Sequence, residues 1–220
     1  MATRTLRKEL RRPDEFVSLT GRAIQYAQTH QRTVAWAAAG VVVVILGVLA
    51  VIGFRHTRMQ QANTNLARAM ALFNENKLPE AIKAFDDIAN NASNPEEFVE
   101  IARLYSAQAE LRQGQFVRAM AGFDGAEGGV GGFLQQRALL NHAYALEGNQ
   151  QFEDAARHFT QAATAGGPYT PAAVLGEARN WERAGDTAKA KDAYQKYVSQ
   201  YPDAPEKAVA EARVAALSAQ

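Results

Sequence analysis

The side chains best suited to chemistry in this sequence are four histidines, which are His30, His56, His142 and His158. Cysteine is absent, so thiolate catalysis and disulfide pairing are excluded. The sequence contains no His-Glu-x-x-His motif. His142 and His158 are expected on the two helices of one hairpin, close to each other. Two imidazoles without an acidic or thiol partner make a poor metal site, because zinc takes three or four protein ligands. The histidines therefore predict no metal centre.

A glycine-rich stretch and three acidic pairs are the other candidates for catalysis. The stretch, residues 125–132, lacks the Gly-Lys-Ser/Thr ending of a phosphate-binding loop and follows no predicted strand, so it is interpreted as a flexible joint. The acidic pairs fall at turns or on solvated helix faces, and they are Asp86-Asp87, Glu96-Glu97 and Glu153-Asp154. We therefore expect no enzyme, no cofactor and no small-molecule substrate.

The charge of the chain is divided between two regions. Residues 1–32 hold seven basic and three acidic side chains, a net of +4, whereas residues 59–220 hold fifteen basic and twenty acidic ones, a net of −5. The whole chain carries only +1, which predicts no nucleic-acid partner. Two regions of opposite charge are suited to different surroundings.

An uncharged apolar run, residues 34–54, separates the two regions. A helix over these 21 residues is about 30 Å long, which matches the hydrocarbon core of a bilayer. We predict a transmembrane helix that contacts membrane lipid. A buried core helix and a cleaved signal peptide are the alternatives. The run is longer than the apolar part of a signal peptide, and Arg55, His56 and Arg58 follow it at once.

The basic residues on either side of the run predict its orientation. Seven Arg or Lys residues precede it, while Arg55, Arg58 and Arg68 follow it. The positive-inside bias therefore places the N-terminus in the cytoplasm. The acidic region, residues 55–220, is then expected on the other side of the membrane, in the periplasm of a two-membrane bacterium.

The leader, residues 1–33, has a pattern of its own. Pro13-Asp14-Glu15 is typical of a helix start, and apolar residues recur at helical spacing from Phe16 to Ala27. One interpretation is an amphipathic helix on the cytoplasmic membrane surface, with its arginines against anionic lipid. The other is a simple basic leader that only sets the topology.

Four segments beyond the run share an alanine followed four residues later by an aromatic. These pairs are Ala81/Phe85, Ala119/Phe123, Ala155/Phe159 and Ala190/Tyr194. Their spacings of 38, 36 and 35 residues are close to the 34-residue period of tetratricopeptide repeats. Alanine lets the second helix of a pair approach the first, and the aromatic fills the space toward the next pair. The pattern predicts an all-α solenoid of about four helix pairs.

Turn residues divide this solenoid into units. Asn76, Gly114 and Gly185 mark three of the turns, and Gly148-Asn149 is assigned to the third unit, which then has about two extra residues. The predicted units span about residues 60–94, 97–127, 132–165 and 169–203. A last helix, residues 205–218, is expected to cap the stack, as solenoids require for solubility.

The last unit resembles a tetratricopeptide repeat in Ala178, Trp181, Gly185-Asp186, Ala190, Tyr194 and Tyr201-Pro202. As a whole the chain resembles the YfgM-like family, in which a basic leader and one anchor helix precede degenerate tetratricopeptide repeats. The junction Ile52-Gly53-Phe54-Arg55 is similar to that of the family. The resemblance implies an inner-membrane protein with periplasmic repeats, associated with the SecYEG translocon and periplasmic chaperones.

The first helices of stacked pairs line a concave groove that suits either a helix or an extended peptide. Counting back from the anchor alanines gives the candidate groove residues Asn63, Leu66, Met70, Phe73, Asn74, Ile101, Leu104, Gln108, Leu111, Arg112, His142, Arg179, Glu182 and Arg183. The alternative for the leucines and Phe73 is the core of the stack, since apolar residues at helical spacing usually face the core.

These features together predict a membrane-tethered protein–protein interaction module. It would assist newly exported proteins at or near the translocon, through its repeat groove. The alternative is a structural scaffold subunit of a larger membrane or envelope complex, with the repeats packed permanently on one partner.

Overall fold

A computed structural model of the chain describes residues 28–126 and 131–219, and these residues form helices and no strand. The predicted all-α fold is confirmed. The chain divides into two units, Met1–His56 and Thr57–Gln220. The predicted leader helix, residues 13–27, lies outside the described residues.

The first unit contains the whole of the predicted membrane segment, residues 34–54. Helix α1, Gln31–Asn74, includes residues 34–54, and it is long and apolar enough to cross a membrane by length and composition. All described side chains up to His56 are exposed, including the run of valines from Val41 to Val44. Apolar side chains exposed on every face are typical of a helix that lies in lipid.

The second unit, Thr57–Gln220, is a stack of helix pairs. Its helices after α1 are α2 Leu78–Ala89, α3 Glu96–Arg112, α4 Phe116–Ala126, α5 Phe133–Gly148, α6 Phe152–Ala165, α7 Thr170–Arg183, α8 Thr187–Gln200 and α9 Lys207–Ser218. From α2 onward each helix packs on the next, and α3 also contacts α5. The part of α1 after His56 shares a core with α2, through Phe73 and Phe85.

The alanine–aromatic pairs are buried between these helices, as the repeat pattern predicts. All four alanines and the three phenylalanines of the series have no exposed surface, and Tyr194 is nearly as buried. Phe159 also reaches the following pair. A Cβ added to Gly176 of α7 would lie 2.5 Å from the Phe159 ring, so the glycine is what admits the ring. The aromatic therefore fills the space between adjacent pairs.

The two helices of every pair are joined by the same three-residue turn. In each turn one residue has a left-handed backbone, with φ between +59° and +84°. It lies five residues before the buried alanine of the second helix. The four left-handed residues are Asn76, Gly114, Gln150 and Gly185. The next peptide N–H donates to the carbonyl five residues earlier, as from Asp186 to Trp181 at 3.0 Å. This hydrogen bond defines a Schellman motif, which closes the C-terminus of the first helix.

The third turn corrects the prediction made from Gly148-Asn149. Gln150 is the left-handed residue there, and the unit has no extra residues at its turn. Gly148 ends α5, and a Cβ added to it would lie 2.3 Å from the ring of Phe116. The glycine is therefore explained by close packing, while a glutamine adopts the conformation that glycine normally takes.

We expect Gln150→Gly to raise the free energy of unfolding by about 0.5–1 kcal/mol, because relief of the left-handed strain exceeds the added chain entropy of glycine. The reciprocal change, Gly185→Gln, should lower it by about 1 kcal/mol, since nothing crowds that position and only the backbone strain is added. Urea denaturation of the detergent-solubilised chain, followed by circular dichroism, measures both changes. Two shifts of the same sign would contradict a common turn geometry.

Candidate protein-binding groove

A groove of about 1000 Å³ lies along the last helix pairs of the second unit. Helices α5, α7 and α9 supply most of its lining, and α8 contributes one tyrosine. The lining residues are Tyr144, Glu147, Gly148, Leu175, Arg179, Glu182, Arg183, Tyr194, Glu206, Val209 and Arg213. The groove is therefore lined by polar and charged side chains with a few apolar ones between them.

The common turn gives these residues a common register. In each pair we count back along the first helix from the left-handed turn residue. The position three residues before it holds, in the four pairs in order, Phe73, Leu111, Glu147 and Glu182. The position two residues before it holds Asn74, Arg112, Gly148 and Arg183. The sixth residue before it is Met70, Gln108, Tyr144 and Arg179. These positions lie on one face of the first helix, because they are spaced at about one helical turn. The face holds Met70 and Phe73 in the first pair, whereas it holds Arg179, Glu182 and Arg183 in the fourth, so it becomes more charged along the stack.

Glu147 joins the third pair to the fourth. Its carboxylate lies 2.7 Å from Arg183 and 3.5 Å from Arg179, and the side chain is mostly buried. The first two pairs are joined at the same register, where the guanidinium of Arg112 lies 4.1 Å from the centre of the Phe73 ring. An arginine thus contacts the preceding pair at both joints, through an ion pair at one and a cation–π contact at the other.

Glu182 joins the fourth pair to the terminal helix α9. It accepts a hydrogen bond of 2.8 Å from the Tyr194 hydroxyl, and its other oxygen lies 3.3 Å from Arg213. Burial raises the pKa of Tyr194, and the hydrogen bond to Glu182 raises it further. The tyrosine therefore stays neutral and acts as a hydrogen-bond donor in the groove.

The predicted groove residues are distributed over three environments. Arg179, Glu182 and Arg183 line the groove. Exposed residues of the earlier pairs are Asn63, Asn74 and Arg112, and half-buried ones are Leu66, Met70, Ile101, Gln108 and Leu111. Phe73 and Leu104 are buried in the core, as the alternative interpretation has it, and they present no surface to a ligand. Ligand contact by the other residues stays a prediction.

His142 does not belong to the groove register, which corrects its assignment. It is only 3% exposed, and it lies eight residues before Gln150 rather than six. Its ring packs 4.3 Å from His158, which confirms the expected approach of the two rings, and its Nδ1 is 3.7 Å from Asp124. Within residues 28–126 and 131–219, no group of three or more His, Cys, Asp or Glu side chains is arranged to hold a metal ion.

The sequence prediction missed several residues that line the groove, which are Tyr144, Glu147, Leu175, Tyr194, Glu206, Val209 and Arg213. The sequence predicts the third turn at Gly148, two residues before Gln150, so His142 takes the groove position that Tyr144 occupies in the structure. The 35-residue spacing of Glu147 and Glu182 was the signal available for the correct register. Val209 and Arg213 lie on α9, which the sequence predicts only as a cap without groove residues.

Tyr197 provides a pH-dependent test of the joint beside the groove. Burial, and then a 3.0 Å hydrogen bond to Glu206, raise the pKa of Tyr197 from 10.0 to about 12. Because the folded state holds the proton more tightly, stability is retained below pH 10 and is lost as the pH rises toward 12. We expect the Tyr197→Phe variant to lose less stability over this interval. Thermal melts across the interval measure the difference, and parallel curves would contradict the assigned cause.

Comparisons with known proteins agree with this architecture. The tetratricopeptide repeat family model matches residues 172–204, which contain most of α7 and all of α8. No curated protein matches the chain. A crystal structure of nearly identical TPR-like repeats, assigned to a kinesin light chain of Podosopora anserina, is similar at a TM-score of 0.58 and 13% identity. The similarity covers 71% of this chain and 85% of that one.

A single-substitution variant of that protein gives a TM-score of 0.56 at 13% identity, covering 71% of this chain and 84% of the variant. At such low identity these similarities speak only to the fold. Together with the family match, they show that the chain has an all-α, tetratricopeptide-like solenoid fold.

Proposed function

We propose that this chain is a membrane-tethered protein–protein interaction module. Tetratricopeptide repeats are interaction modules, and the charged groove along α5, α7 and α9 is the observation that carries the proposal. The groove offers several hydrogen-bonding and ionic side chains next to apolar ones. That mixture is suited to a polypeptide and offers no arrangement of residues for covalent chemistry.

The apolar part of α1 supports tethering. A helix that holds the repeat domain at a membrane surface raises the effective concentration of the groove for any client that emerges nearby, so weak binding is sufficient. The resemblance to the YfgM-like family extends the proposal to the inner membrane. There, newly exported proteins would meet the repeats beside the SecYEG translocon, together with periplasmic chaperones.

A structural scaffold subunit is the second candidate, and α9 favours it. The face of this terminal helix opposite its buried residues carries four exposed alanines, at positions 208, 212, 215 and 216. Terminal repeats of solenoids normally have a polar outer face. Particle size after mild solubilisation separates the two candidates, since a scaffold subunit would stay in a stoichiometric complex, whereas a client-binding module would be isolated mainly alone.

The absence of cysteine allows a direct test of topology. We expect Ser199→Cys, at an exposed position of α8, to react with a membrane-impermeant maleimide in intact spheroplasts. Ser18→Cys in the leader should react only after the membrane is permeabilised, because the basic leader is retained in the cytoplasm. The reverse labelling pattern would contradict the orientation, and labelling of both sites in intact spheroplasts would contradict a membrane-spanning α1.

Two exposed valines allow a matched test of the groove. Val209 lies in the groove and is 60% exposed, whereas Val117 lies outside the groove, on α4, and is 67% exposed. A photoreactive phenylalanine analogue placed at Val209 in cells should cross-link to other proteins, and the same analogue at Val117 should yield few adducts. Equal yields would contradict the groove as the binding surface. Mass spectrometry of the adducts tests the translocon and chaperone assignment separately.

A further inference from the structure

The groove contains two kinds of charge at different depths. The carboxylates of Glu147 and Glu182 are the more buried charges, with side chains 16% and 27% exposed. The arginines that pair with them are more accessible to solvent. The exposed fraction of the side chain is 45% for Arg179, 54% for Arg183 and 55% for Arg213. A ligand that enters the groove would therefore meet these arginines before it meets Glu147 or Glu182.

The buried carboxylates orient the arginines without using all of their donors. Each guanidinium has five N–H donors, and the ion pairs to Glu147 and Glu182 engage one nitrogen of each arginine. Arg183 also lies over the ring of Phe152, at 5.2 Å from its centre. Such contacts hold the arginines in place, so less side-chain entropy is lost when a ligand binds.

This depth difference also occurs outside the groove, where Arg118 of α4 is 61% exposed and pairs with Glu110 at 8%. The groove differs in bringing three such arginines together, and Arg157 of α6 is the contrasting case. Arg157 is 54% exposed and pairs with Glu153 and Asp154, whose side chains are 61% and 51% exposed. Its charge is cancelled at the surface by carboxylates that are as accessible as it is. Residues 59–220 carry a net charge of −5, whereas the three arginines of the groove offset its three glutamates, so the groove is locally less acidic than the rest of this region.

Apolar side chains lie beside the arginines. Val209 is 60% exposed, and the half-buried Leu175 lines the same groove. Glu206 also lines the groove and is exposed, and one of its carboxylate oxygens accepts the Tyr197 hydrogen bond. An entering chain therefore finds cationic donors next to a small apolar patch.

We propose that the groove binds an acidic polypeptide segment that also carries a bulky apolar residue. Asp or Glu side chains of the segment bind Arg179, Arg183 and Arg213, and the apolar residue packs on Val209 and Leu175. Guanidinium groups suit this role because they bind carboxylates through two parallel hydrogen bonds. This inference rests on the proposed function and specifies the chemistry of the partner.

The test uses fluorescence anisotropy with the full chain in detergent. The probe is a dye-labelled peptide of alternating glutamate and serine with one central leucine, amidated at its C-terminus. We expect it to bind at low salt and to weaken as salt is added, since ion pairs at half-exposed sites are screened. A matched peptide with glutamine in place of glutamate should bind about tenfold or more weakly, because the charge-assisted hydrogen bonds are lost.

Variants of the protein locate the binding. Arg179→Gln combined with Arg213→Gln should abolish the preference for glutamate over glutamine, whereas Arg157→Gln should leave it unchanged. Circular dichroism shows whether the double variant is folded. If it is not, Arg213→Gln alone, which leaves both Glu147 ion pairs intact, should weaken binding of the acidic probe about tenfold.

Three results would overturn the inference. They are equal binding of the glutamate and glutamine peptides, an equal loss from Arg157→Gln, and equally tight binding of a glutamine peptide that has a free C-terminal carboxylate. The last result would assign the arginines to a chain terminus instead of acidic side chains. Cross-linking from Val209 without acidic preference would refute this inference and leave the interaction module standing.

Discussion

The repeat domain depends on the close approach of two helices five residues after a left-handed turn. Alanine allows this approach because its side chain adds only one carbon between the helix backbones, and all four anchor alanines have no exposed surface. The Schellman hydrogen bonds fix where the first helix ends, so the alanine always meets the same part of it. Because the number of residues between the turn and the alanine is constant, each position of the first helix faces the same way in every pair, towards the core or towards the solvent.

The groove follows from that register. Positions two, three and six residues before the turn point to one face of the first helix, and in the last two pairs they include Glu147, Arg179, Glu182 and Arg183. The same positions in the first pair hold Met70 and Phe73, which serve the core instead. One register thus gives packing in one half of the domain and an accessible charged surface in the other. Side-chain chemistry decides the difference, since a half-buried charge must keep contact with a partner or with water.

The sequence was sufficient to predict the helix pairs, because alanine and aromatic residues at fixed spacing have few other uses in a helical protein. It was insufficient at the third turn. Glycine is the usual signal for a left-handed residue, yet Gly148 is needed where the Phe116 ring packs, and Gln150 carries the strain. A two-residue error in the register then placed His142 in the groove. The depth of the arginines relative to the glutamates depends on side-chain conformation, which spacing alone does not determine.

Tethering and local charge act together in the proposed mode of binding. An acidic domain repels acidic clients at long range, so the arginines of the groove act only over about a Debye length, within which the local field dominates. The proposed membrane anchor would compensate for the missing long-range attraction, because it would keep the groove near its clients whatever the sign of the overall charge. Electrostatic repulsion between the acidic surface outside the groove and a bound acidic segment would then favour rapid dissociation of that segment. A module that assists newly exported proteins requires weak, selective and reversible binding. A permanent scaffold subunit would instead be expected to bury its arginines under a partner.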